Sequence, residues 1–119
     1  AGLTPDQIDL MQLYDCFTPA LLIQLEDLGF CRKGEGGDFL ASGVTRPGGS
    51  KPLNTHGGML SHCHPGNPGA MFGLTEAMLQ MRGDAQARQL ANIQTALCHA
   101  QGGIMSSHAT LILGVEATL

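Results

Sequence analysis

The chain has no tryptophan, a single tyrosine and only four phenylalanines, so aromatic side chains cannot dominate its core. Basic residues are also sparse: six Lys and Arg against ten Asp and Glu give a net charge of −4. A surface that neutralises nucleic-acid phosphates needs a basic patch, and this composition argues against one. There is no run of eighteen apolar residues, which argues against a transmembrane helix. No signal peptide is visible and the chain does not begin with Met, so it reads as a fragment or processed product of a cytoplasmic protein. The four cysteines, Cys16, Cys31, Cys63 and Cys98, contain no CxxC pair of a zinc site. They read as free thiols in a reducing compartment, and no metal site is expected.

Glycine and methionine are plentiful, at seventeen and six in 119 residues. They suggest one domain with an adaptable core and many tight turns. The chemistry concentrates in Asn54–Gly69, NTHGGMLSHCHPGNPG, which holds three of the five histidines and one cysteine. Pro65 biases His64 away from the helical basin. A helical pattern follows from about Gly69, so His64 would share its space with the donors of a helix N-terminus.

Around that stretch the pattern predicts alternating elements. Thr4-Pro5 reads as a helix or turn start, and Leu10–Tyr14 has the composition of a short buried strand. Thr18-Pro19 opens a helix to Leu28, with Leu21, Leu22, Leu25 and Leu28 on one face and Gly29 just past its end. Residues 30–52 are Gly-rich and irregular, with Phe39–Ala41 a possible strand or extended piece; they read either as a binding loop or as a plain excursion. Met71, Leu74, Met78 and Met81 predict the core face of a second helix, Gly69–Met81, ended at Arg82-Gly83. A short third helix is expected after Asp84. Thr95–Ala100 and Ser107–Leu113 read as strands joined through a Gly102-Gly103 turn, with Leu111–Leu113 covered on both faces. The expected fold class is α/β, with a mixed sheet of four to five strands packed by helices.

Five segments occur in a telling order: Tyr14-Asp-Cys-Phe17, Asn54-Thr-His-Gly-Gly58, Cys63-His-Pro-Gly66, Gln80-Met-Arg-Gly83 and His99-Ala-Gln-Gly-Gly103. Together they resemble the C-terminal half of the thiolase superfamily, nearest to the sterol-carrier-protein-type thiolases and the bacterial lipid-transfer-protein homologues. The resemblance runs from about Asp9 to Leu113. It implies that residues 1–119 form a thiolase-like C-terminal domain. The nucleophilic cysteine would lie in an N-terminal half that this chain lacks. It also implies that Cys16 is the acid/base cysteine, that His64 is the Gly-His-Pro histidine with Cys63 in place of the glycine, and that Tyr14 stands where that branch carries a histidine. Asn54, His56, Gly57, Gly58, Gly102 and Gly103 would bind substrate. His56, Cys98 and His99 also have bland readings at loop and strand ends, and Cys31 and His62 read as structural.

Claisen cleavage of a 3-oxoacyl thioester needs a base to activate the incoming thiol and an acid for the leaving carbanion, and a thiol near its pKa serves both. The thioester oxygen gains charge and needs donors aimed at it. With Tyr14 as proton carrier, the site would instead suit retro-aldol cleavage of a 3-hydroxyacyl thioester, which needs no acyl-enzyme. The resemblance therefore implies half of an acyl-CoA acyltransferase of lipid or steroid side-chain metabolism, homodimeric when complete. The alternatives are half of a retro-aldolase with an OB-fold partner protein, or a non-catalytic binding domain. Coenzyme A is expected as substrate, with no permanently bound cofactor.

Overall fold

In the computed structural model, which describes residues 1–116, Leu10–Leu13 forms strand β1, and all four of its residues are buried. Alternate side chains leave a strand on opposite faces. Met11 and Leu13 join Ile8, Leu21, Leu25 and Leu97 in one apolar cluster, whereas Leu10 joins Ala77, Ala96 and Cys98 in another. Leu10, Met11 and Leu25 are fully buried, each stabilising the fold by roughly 1.5–3 kcal/mol.

Among the described residues the sheet has three strands, in the order β1-β2-β3. Strand β2, Thr95–Gly102, runs parallel to β1 with Leu10 opposite Ala96 and Leu13 opposite His99. Strand β3, Ser107–Gly114, runs antiparallel to β2 with His99 opposite Thr110. The sheet is therefore mixed, as expected, but smaller than the four to five strands expected. On the far edge of β1, residues 52–54 begin a parallel strand and stop after a single bridge between Met11 and Leu53. Pro52 has no N–H to continue a ladder. The Asn54 side chain replaces the next rung, with its Oδ1 accepting from Leu13 N–H and its Nδ2 donating to Leu13 O, both at 2.9 Å.

Helix α1, Thr18–Asp27, covers one face of the sheet with Leu21 and Leu25, as its spacing predicts. Phe17 occupies its N-cap and Pro19 lies in its first turn. Residues 36–41 form a short helix, α2 (Gly36–Ala41), where Phe39–Ala41 has the look of an extended piece. Glu26 of α1 accepts a hydrogen bond from Gly36 N–H at 3.1 Å and so starts the turn. Phe39 and Leu40 then pack against the core.

Helix α4, Gly69–Arg82, covers the other face, preceded by the one-turn α3, Gly58–Ser61. The buried face of α4 is not the methionine stripe. Gly69, Glu76, Ala77 and Gln80 are buried, Leu74 and Met81 are partly buried against the core, and Met71 and Met78 are exposed. Small residues let the helix backbone lie close to β1: a Cβ at Gly73 would stand 3.2 Å from the Gln12 Cβ. Strand β3 also departs from expectation. It is an edge strand, so Leu111 is exposed rather than covered on both faces. Among the described residues, no helix is long and apolar enough to cross a membrane.

Candidate active site

Strand β1 ends at Leu13, and the next four residues carry its chemistry past the edge of the core. Tyr14 N–H donates to His99 O at 3.0 Å, which ties this loop to β2. The Asp15 carboxylate turns inward, is 4% exposed, and accepts hydrogen bonds from Met59 N–H at 2.7 Å and Leu60 N–H at 3.5 Å. These are orphan donors at the start of α3, so Asp15 caps that helix from a different part of the chain. With Asp15 turned inward, Tyr14 and Cys16 face a shared cavity.

That cavity has a volume of about 550 Å³. Tyr14, Cys16 and Phe17 line it from the β1 end, His64, Asn67 and Ala70 from the approach to α4, and Gln101–Met105 from the β2–β3 tip. Tyr14 Oη lies 3.1 Å from His64 Nε2, with the rings tilted 52° to each other. Burial, then the neighbouring Cys16 and Asp15, raises the Tyr14 pKa above its usual value, so the phenol keeps its proton at neutral pH. Gln101 donates from Nε2 to Cys16 Sγ at 3.2 Å. The cavity thus offers a phenol paired with an imidazole, and a thiol held by an amide.

Of the residues singled out in the sequence, the structure gathers Tyr14, Cys16, His64, Gly102 and Gly103 on this cavity. The others lie elsewhere. Asn54 is engaged on the β1 backbone. Gly57 and Gly58 lead into α3, and Gly58 has φ +66° with no room for a Cβ beside the Asp15 carboxylate. His56 lies behind the site, beside Gln12, with both ring nitrogens buried and without a hydrogen-bond partner. Burial is the main reason its pKa is lowered. Cys98 is in the core, where burial pushes its thiol up to about 11 and leaves it inert at neutral pH. Cys31 sits against the other cluster.

Periodicity gave no sign of the buried polar network beneath α4. Glu76 is 2% exposed and accepts from Arg88 Nη2 at 2.9 Å, Gln80 Nε2 at 3.0 Å and Thr55 Oγ1 at 2.8 Å. Burial alone would raise its pKa, but these hydrogen bonds and the Arg88 charge outweigh burial and hold it below the usual carboxylate value. The only sequence signal was a Glu on the same helical face as Ala77 and Gln80. Among the described residues, no group of three or more His, Cys, Asp or Glu side chains is arranged to hold a metal ion.

The fold and this site define a thiolase-type C-terminal domain. The chain belongs to the thiolase C-terminal domain-like family, whose model matches residues 1–115. It is 44% identical over 96% of its length to 17-hydroxy-3-oxo-4-pregnene-20-carboxyl-CoA lyase of Mycobacterium tuberculosis, of which it covers 28%. It is 39% identical over 87% of its length to an acetyl-CoA acetyltransferase of Methanothermobacter thermautotrophicus, of which it covers 27%. A solved Ltp2-ChsH2(DUF35) aldolase matches 95% of the chain and 28% of its own at 42% identity and a TM-score of 0.83. The chain therefore spans little more than a quarter of these relatives.

Proposed function

We propose that this chain is the C-terminal part of a thiolase-fold retro-aldolase that cleaves 3-hydroxyacyl thioesters of coenzyme A, with steroid side chains the substrate class suggested by the lyase relative. One observation carries the choice of reaction, the Tyr14 Oη···Nε2 His64 contact on the cavity wall. In the proposed reaction the C3 hydroxyl loses its proton and the C2–C3 bond breaks. Its electrons pass into the thioester as an enolate, and C2 is then protonated. The products are a carbonyl compound and a shortened acyl-CoA. A neutral phenol accepts the hydroxyl proton only if its own proton leaves at the same time, and His64 Nε2 is within reach to take it. The Cys16 thiol on the same wall is the second group able to deliver a proton to C2. The reaction would be completed by the N-terminal half of the protein and by a partner protein, as the DUF35 component in the solved aldolase's name suggests.

Cys16 favours a second reading. A cavity-facing thiol held by Gln101 suits the acid/base role in an acyltransferase, and one relative is an acetyl-CoA acetyltransferase. Assay of the full-length protein with both substrate types separates the two. Under the aldolase reading Tyr14→Phe lowers kcat for 3-hydroxyacyl-CoA cleavage by about a hundredfold or more, while Cys16→Ala stays within several-fold. The reverse order selects the acyltransferase, and equal tolerance of both substitutions defeats both readings. The 119 residues alone should show no turnover, because an open site leaves its developing charge in water.

A further inference from the structure

At its far end the cavity is walled by the β2–β3 tip, and the backbone there is strained. Ile104 has φ +55° and Met105 φ +63°, a left-handed conformation that is a genuine outlier for a β-branched residue. Such a conformation persists only where its surroundings enforce it. Ile104 is fully exposed, so packing of its own side chain does not hold it. Ser106 N–H donates to Gly102 O at 3.1 Å across the turn. His108 Nε2 reaches the Met105 carbonyl at 3.0 Å.

That last contact fixes a chain of proton positions. A carbonyl only accepts, so His108 Nε2 carries the hydrogen, and a neutral imidazole then has a bare Nδ1. His108 Nδ1 lies 3.2 Å from His99 Nε2, so His99 Nε2–H donates to it. The two ring centroids lie 5.3 Å apart, with the planes 25° from parallel. His99 Nδ1 is then an acceptor, and the Thr110 hydroxyl donates to it at 2.7 Å. The order Thr110→His99→His108→Met105 O is the only neutral assignment in which every contact is a hydrogen bond.

We infer that His108, its Nε2–H committed to the Met105 carbonyl and its ring seated against His99, is a positioning residue that holds the Ile104–Met105 wall of the cavity. It acts through the backbone of the tip, at the Met105 carbonyl. The inference borrows from the preceding reading only that this cavity binds substrate. The titratable groups around His99 are His108 beside it and Tyr14 and His56 along the adjoining cleft. Of these, His108 acts on the His99 charge, adding to burial in lowering its pKa. His108 itself faces His99, Gln101 across the strand pair and the Met105 carbonyl.

Hydrogen-exchange protection factors of residues 102–106 in the full-length protein test this. In the wild type the Ser106 amide, bonded to Gly102 O across the turn that His108 holds, should be protected. His108→Gln carries an amide N–H out to the position of His108 Nε2 and keeps a donor for Met105 O, so its tip should stay protected. His108→Phe keeps a ring without donors, and its Ser106 amide should lose about tenfold in protection. In turnover His108→Phe should raise KM several-fold with kcat within about twofold. Wild-type protection of the tip in His108→Phe overturns the inference, as does an equal loss of protection throughout the sheet or a defect confined to kcat. The exchange readout uses no substrate, so failure of the aldolase reading leaves it intact.

Discussion

Gly58 shows how closely a single position is constrained. A Cβ there would lie 2.2 Å from Asp15 Oδ2 and 2.5 Å from Oδ1, on a backbone with φ +66°. Neither the carboxylate nor the backbone can give way cheaply, because Asp15 is buried and bonded to Met59 N–H. Gly58→Ala should therefore cost about 2–4 kcal/mol, from left-handed strain and a disrupted charge-assisted hydrogen bond. Urea denaturation checks it: an unchanged midpoint and slope would mean that Asp15 moves aside freely. The same contact has a consequence for the cavity. If Asp15 were displaced, the Tyr14-Asp15-Cys16 turn would lose its inward anchor, so the effects of Gly58→Ala should reach both cavity-facing neighbours.

At the scale of elements, the sequence displayed what depends on apolar spacing and concealed what depends on volume and pairing. Leu21 and Leu25 announce α1 because bulky residues at helical spacing bury one face. The methionines of α4 share that spacing, yet Met71 and Met78 face outward. Glycine and alanine allow a closer approach to β1, and Glu76 can be buried because Arg88, twelve residues on, neutralises it. A pattern of apolar residues cannot register either fact. Leu111–Leu113 looked doubly covered because a run of apolar residues does not reveal whether a strand is central or at an edge. The candidate site was more legible. Tyr14, Cys16 and His64 stand out as local motifs beside turns, whereas the His99–His108 ladder depends on the register of β2 against β3. Asn54 acts on this scale too, as the end of an incomplete strand. Asn54→Ala should cost about 2–4 kcal/mol, because it leaves Leu13 N–H and C=O without partners. Amide exchange at Leu13 should speed up accordingly, and an unaltered Leu13 rate would show that water replaces the side chain fully.

For the whole molecule, acid sensitivity follows from its histidines. Burial lowers the pKa of both His56 and His99. The unfolded chain takes up these protons near pH 6.5, whereas the folded chain takes them up only at lower pH. In that window the unfolded state binds more protons, so stability is full above about pH 6.5 and falls as pH drops through the lowered folded values. Melting temperatures from pH 7.5 to 5 should decline, and the decline should be shallower in His56→Gln, whereas an identical slope would show that His56 is hydrated and titrates normally. The parallel pairing of β1 with β2 has a different kind of consequence, one of time. Asp9 N–H bonds to Thr95 Oγ1 across 86 positions of sequence, and among the described residues β1 has no other full-length strand beside it. A chain emerging from the ribosome thus carries Leu10 without its Ala96 and Cys98 partners until the β2 segment appears. Closing so large a loop before any ladder bond forms makes folding slow. Through that interval the most apolar strand of the domain is its chief site for premature association.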